Sequence, residues 1–160
     1  MKNNTTKQNT IEIINILKAK NQTITFAESC TGGRIASAFT AISGASSVLN
    51  GSVVSYANEI KSLWLGVKEE TLIKHGAVSA ECVAEMLKGI KKMANADHSI
   101  AVSGIAGPTG GTDEKPVGTV YLGVCIKNHL IVEHHLFLGD RETVQEQATD
   151  TAIAIFKNNL

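Results

Sequence analysis

At 160 residues, with 43% apolar residues and basic and acidic side chains balanced at 15 each, the chain suits one domain with its own core and is too apolar for disorder. The balance argues against broad binding to nucleic acid or an anionic membrane, while leaving room for a local anion site. Met1 to Thr10 lacks the apolar core of a signal peptide, no apolar run nears the ~18 residues of a membrane span, and the scattered Cys30, Cys82 and Cys125 suit a reducing cytoplasm.

Ile11, Ile14 and Leu17 recur at helical spacing and predict a first helix from about Thr6 to Lys20, behind a polar tail that reads as loosely ordered through residue 8. Thr23 to Ala27 reads as a buried strand, and a second helix follows with Ile35, Phe39 and Ile42 on one face. Leu49 to Tyr56 predicts another strand. Asn58 is a candidate cap for a short helix that carries Lys61 and Trp64 and stops at Gly66. A short helix spans about Lys68 to His75. Ser79 then caps a long helix striped by Val83, Met86, Leu87, Ile90 and Met93. Ile100 to Ser103, Val117 to Ile126 and Leu130 to Leu138 read as strands, the last two forming a hairpin. Asp140 caps a final helix with Val144, Ala148, Thr151, Ile155 and Phe156 inward. The alternation predicts one domain over residues 1–160, an α/β protein built as a three-layer α/β/α sandwich with a mixed, mostly parallel sheet. Strand order is not readable from the pattern.

Four segments carry chemistry. In Ala27-Glu28-Ser29-Cys30-Thr31-Gly32-Gly33 a strand ends and a helix starts, so Ser29 stands where a nucleophile would be presented, beside helix-start N–H groups suited to an oxyanion or bound anion. A helix cap at Ser29 or Thr31 fits the same residues. In Tyr56-Ala57-Asn58-Glu59-Ile60-Lys61 a lysine sits near a helix N-terminus, against the dipole and near Trp64, which disfavours its charged form and suits a general base. A solvated surface lysine is the plainer alternative. Ser103 to Gly118 holds both prolines and five of the 14 glycines, a loop suited to close approach of backbone to a phosphate, with a mobile surface loop as the alternative; it is neither a Walker A loop nor a dinucleotide fingerprint. Arg141, one of two arginines, falls in the first turn of the last helix, where a bound anion would reconcile its charge with the dipole, a solvated surface arginine being the alternative. No histidine or cysteine spacing suggests a metal site.

Taken together, these segments resemble the CinA C-terminal domain family. The resemblance runs from about Ile11 to Phe156 and rests on the two motifs just quoted, on His75-Gly76-Ala77-Val78-Ser79, on Ser103-Gly104-Ile105-Ala106-Gly107-Pro108 and on Glu114-Lys115-Pro116-Val117-Gly118-Thr119-Val120. It implies an α/β/α fold and hydrolysis of the carboxamide of nicotinamide mononucleotide to nicotinate mononucleotide and ammonia, with no metal and no organic cofactor. It places the family's serine on Ser29, its lysine on Lys61 and a tyrosine on Tyr56, which is expected to orient Lys61 or bridge it to Ser29. Amides near Thr31, Gly32 and Gly33 are expected to hold the oxyanion. Ser103, Gly104, Ile105, Ala106, Gly107, Gly110 and Gly111 are expected to contact substrate, with Lys115 and Arg141 on the phosphate. A homodimer or larger homo-oligomer is expected. Larger members carry an additional N-terminal domain, whose activity is not expected in 160 residues. Ala57 stands where relatives often have a small polar residue, which removes a possible hydrogen bond. Two other readings stay open: a nucleotide-binding module without catalysis, tied to competence or DNA damage, and an amidase for a different pyridine nucleotide.

Overall fold

The computed structural model describes the backbone of residues 2–160 and the side chains of residues 5–160. In chain order the elements are α1 (Lys2–Ala19), β1 (Ile24–Glu28), α2 (Arg34–Thr40), a 3-10 turn (Ala45–Ser47), β2 (Leu49–Val54), α3 (Asn58–Leu65), α4 (Glu69–His75), α5 (Ala80–Met93), β3 (His98–Gly104), β4 (Thr119–Ile126), β5 (His129–Leu136) and α6 (Arg141–Asn159). The first helix starts at Lys2, so the segment expected as a loose tail is helical from that residue on. Met1 lies outside the described residues.

The sheet order is β2-β1-β3-β4-β5. β1 pairs in parallel with β2 and β3, and β4 is antiparallel to both β3 and β5. Four strands therefore run one way and β4 alone opposes them, which makes the sheet mixed and mostly parallel by direction. The central strands are buried on both faces, as strands covered by helices on two sides must be. Their residues alternate between two cores. Ile24, Phe26, Ile100, Val102, Leu122 and Val124 face α1, α2 and α6, where Ile13, Leu17, Phe39, Ile153 and Phe156 close the layer. Ala27, Ala101 and Cys125 face α5, whose Val83, Met86, Leu87 and Ile90 are buried. Met93, expected in that stripe, is 55% exposed, whereas Ile90 in the same last turn is buried.

The helix ends are built as their sequences dictate in three places. Ser79 accepts from the Cys82 amide, Asp140 accepts from the Thr143 amide, and Gly66 ends α3 in the left-handed conformation. The cap of α3 is Ala57 rather than Asn58 and offers no side-chain acceptor. A different contact fixes α3. A Cβ on Gly89 of α5 would lie 1.8 Å from the Leu65 carbonyl oxygen, so only glycine lets the two helices approach this closely. Lys61 thus projects from a helix wedged against α5.

The chain leaves β1 toward β2 on one side and leaves β3 toward β4 on the other. Neighbouring parallel strands whose connections depart in opposite directions leave a crevice at their carboxyl ends, the usual binding place in open α/β sheets. Ser29 follows β1 there, and the glycine-rich loop follows β3.

Candidate active site

The turn after β1 is held from several sides. The Ser29 amide donates to the Val102 carbonyl at 3.0 Å, and the Gly32 amide returns to the Ser29 carbonyl at 3.0 Å. Gln145 of α6 donates to the Cys30 carbonyl at 2.7 Å. Gly32 and Gly33 have φ of 60° and 97°, a consecutive left-handed pair that residues with a Cβ resist. Ser29 is left 8% exposed.

The same turn corrects an expectation. The fully buried Glu28 carboxylate accepts from the Thr31 hydroxyl at 2.6 Å and from the amides of Gly33, Ile35 and Ala36 at 3.1, 3.1 and 2.9 Å. The helix-start donors expected to be free for an oxyanion are therefore largely taken. The amides of Cys30 and Thr31, which follow Ser29, carry no hydrogen bond in the described network, and of the two residues only Cys30 keeps any exposure. The Thr31 side chain is fully buried and spent on Glu28, so it does not reach a ligand. Sequence reasoning misses Glu28. An acidic residue closing a strand just before a helix start is the one local signal that points to it.

Lys61 is 1% exposed, and its Nζ lies 3.1 Å from Ser29 Oγ. Nζ also donates to the carbonyls of Ser55 and Tyr56 at 2.8 and 2.9 Å. No carboxylate pairs with it among the described residues. Burial pushes the amine below its usual pKa, opposed in part by the charges that Cys82 and Cys30 would carry as thiolates. Two carbonyls take two N–H bonds of a neutral amine, and the remaining direction points at the serine hydroxyl. The Cys30 thiol beside Ser29 is pushed up to about 12, chiefly by burial, and is a poor nucleophile there.

The Tyr56 hydroxyl does not reach this pair. It accepts from Arg141 Nη2 at 2.9 Å, and only the Tyr56 backbone carbonyl holds Lys61. Arg141 Nη1 donates to the Gly107 carbonyl at 2.7 Å. The guanidinium is thus fixed by two neutral acceptors, pairs with no carboxylate among the described residues, and lines a cavity of about 210 Å³. Gly104, Ile105, Ala106, Gly107 and Gly110 line this cavity, as do Cys30 and Thr109. A Cβ on Gly104 would come within 2.7 Å of Val120, so the loop leaves β3 pressed against β4. A larger groove of about 650 Å³ between α3 and α4, lined by residues such as Leu63, Leu72 and Ile73, contains none of these polar groups.

Other expected contacts are placed elsewhere. Ser103 is buried and donates to the Ala77 carbonyl, tying β3 to the segment before α5. Lys115 donates to the His75 carbonyl at 2.7 Å, at the C-terminal end of α4 where a helix dipole favours a cation. Gly111 packs its backbone against Val117, and neither it nor Gly32, Gly33 or Lys115 lines the cavity beside Arg141. No three His, Cys, Asp or Glu side chains converge as a metal site among the described residues, and no described helix is long and apolar enough to cross a membrane.

Comparisons with known proteins identify the family. A "CinA-like protein" of Fervidobacterium nodosum is 48% identical over 148 residues, which are 92% of this chain and 36% of that protein. The chain thus spans about a third of the length of this and similar curated relatives. A protein of Escherichia coli K12 named nicotinamide-nucleotide amidohydrolase PncC is 48% identical over 138 residues, covering 86% of this chain and 84% of its own length. The crystal structure of the competence damage-inducible protein A from Klebsiella pneumoniae superposes with a TM-score of 0.92 at 40% identity, covering 96% of this chain and 95% of that one. The family model of the CinA C-terminal domain matches residues 6–160, and the chain belongs to that family.

Proposed function

We propose that the chain is an amidase that hydrolyses the carboxamide of nicotinamide mononucleotide through Ser29 and Lys61. The observation that carries this reading is the buried Lys61 amine, unpaired by any carboxylate among the described residues and 3.1 Å from Ser29 Oγ. The E. coli relative named as a nicotinamide-nucleotide amidohydrolase supports the substrate.

Neutral Lys61 takes the Ser29 proton as Oγ attacks the carboxamide carbon. The carbonyl oxygen becomes an oxyanion, for which the Cys30 amide, next to Ser29 and without a partner in the described network, is the candidate donor. Collapse of the tetrahedral intermediate breaks the C–N bond. Lys61 returns the proton to the leaving nitrogen, so ammonia departs neutral and the base is regenerated. Water, deprotonated by Lys61, then attacks the nicotinoyl ester, and Ser29 leaves with the proton. Arg141 receives the phosphate and exchanges its neutral partners for a charge-assisted pair.

Ammonia release measured across nicotinamide mononucleotide, its riboside, free nicotinamide and unrelated primary amides tests the reading. The mononucleotide should be preferred, and Ser29→Ala should abolish release in a folded protein. Binding of the mononucleotide without ammonia release would identify a nucleotide-binding module instead.

A further inference from the structure

Glu28 is 0% exposed, and the four groups bonded to its carboxylate are all neutral: one hydroxyl and three amides at the start of α2. A carboxylate stays in such a place only when its lone pairs are filled by donors. Its backbone works on the other half of the site. The Glu28 carbonyl accepts from the Ser55 amide at 2.9 Å, and the Ser55 carbonyl in turn accepts from Lys61 Nζ at 2.8 Å. One residue therefore touches both the turn that carries Ser29 and the segment that aims Lys61.

We infer that Glu28 is a positioning residue, whose carboxylate clamps the Ser29–Gly33 turn onto α2 and so sets the distance between Ser29 and Lys61. The turn needs such a clamp. Its two left-handed glycines make it easy to form and equally easy to lose, since glycine has the most conformational freedom to surrender. Without Glu28, three amides at the start of α2 and the buried Thr31 hydroxyl would lack acceptors, and the turn would rearrange to find them. Glu28 also fills the seat that an anion would take at these amides. A substrate phosphate is thereby left to Arg141, which lines the cavity beside the glycine-rich loop.

For its turnover readout the inference rests on the amidase reading, so the test adds a readout that needs no substrate. The rate at which a fluorophosphonate probe labels Ser29, followed by mass spectrometry, reports the reactivity of the serine per folded molecule. Glu28→Gln keeps the shape but removes the charge and replaces one of the two acceptor oxygens by an NH2 that opposes a helix amide. It should slow labelling and lower kcat by about 100-fold, the scale of a misplaced reacting group, with KM changed less than about threefold. Thr31→Val removes one donor and keeps the charge and bulk. It should fold and lose about 5- to 10-fold in both rates. A purely structural role would lower the melting temperature and leave both rates per folded molecule unchanged, and that result overturns the inference. Should Glu28→Gln fail to fold, Thr31→Val decides by the same criterion. Labelled wild-type protein that releases no ammonia removes the proposed substrate, and the labelling rates still decide the role of Glu28. Wild-type protein that neither labels nor turns over ends both proposals.

Discussion

Lys61 Nζ stands 3.1 Å from Ser29 Oγ, although 32 residues separate them in the chain. The contact exists because β1 and β2 are parallel neighbours, which puts the turn after one beside the start of the helix after the other. An amine in this place has almost no access to water, and this burial favours its neutral form more than in an exposed lysine, while the two carbonyls fix its position.

Replacing that amine tests the general-base role. Lys61→Met should fold, keep KM within about threefold and lose on the order of 1,000-fold in kcat. Lys61→Arg should be nearly as poor, because a guanidinium keeps its proton. For the wild type, kcat/KM should rise with pH as the amine deprotonates, and level off below the ordinary lysine value of 10.5 because burial lowers the pKa. The pH–rate profiles of wild type and Lys61→Met check this, since the rise should vanish in the variant. Substantial turnover by Lys61→Arg would leave Lys61 as an electrostatic contact only.

Arg141 should recognise the phosphate. Among the described residues its guanidinium is held by neutral acceptors, so a phosphate would add an anionic partner. Arg141→Ala should raise KM for nicotinamide mononucleotide by about 10- to 100-fold and that for the riboside by less than about threefold. Steady-state kinetics on both substrates decide, and equal losses would assign Arg141 to the fold or the chemistry.

Tyr56 should matter through Arg141 rather than through the proton path. Its hydroxyl is bonded to Arg141, while its carbonyl, which any residue supplies, holds Lys61. Tyr56→Phe should therefore leave kcat within about threefold and raise KM for the mononucleotide a few-fold. A kcat loss near 100-fold would put the hydroxyl back between Lys61 and Ser29.

A separate pH effect should appear in stability. His98 is 1% exposed, its Nδ1 accepts from the Lys127 amide at 3.1 Å, and its Nε2 lies 3.0 Å from Gln22 Oε1, so the network fits a neutral ring with the proton on Nε2. Burial, the largest cause, pushes its pKa down to about 4, and Lys91, Lys127 and Lys20 add to the fall while Asp97 opposes it. Below the ordinary value of 6.5 the unfolded chain binds a proton that the folded chain refuses. The contribution is therefore complete above that value and declines as pH falls toward about 4, by on the order of 3 kcal/mol in all. Urea unfolding between pH 7 and 4.5 checks this, because His98→Asn should have a flatter pH dependence than the wild type. Equal slopes would contradict it.

Much of the site's vocabulary is legible in the amino-acid sequence. Lys61 and Arg141 stand out there as cations in first turns of helices, and both lie in first turns, Lys61 with its amide bonded to the Ala57 carbonyl and Arg141 as the first residue of α6. The partners of the long side chains are not legible in the same way. Lys115, expected on a phosphate, is bonded to the His75 carbonyl, and Ser103, expected on substrate, is bonded to the Ala77 carbonyl. Each side chain reaches a segment at least 26 positions away, and local pattern carries no information about such a meeting.

By itself, the sequence determined what is decided within a few residues. The caps at Ser79 and Asp140, the stop at Gly66 and the alternation of strand and helix follow from backbone donors and acceptors that find partners three or four positions away. The tertiary structure decided the rest through the strand order β2-β1-β3-β4-β5. That order sets β1 between β2 and β3, so Glu28, Ser29, Ser55 and Lys61 meet at one end of the sheet, with the Glu28 carboxylate on the α2 amides and the Ser55 carbonyl on the Lys61 amine. Residues this far apart meet only because burying both faces of the sheet brings their segments together, and a hydrogen bond between them forms only after that burial has chosen its neighbours.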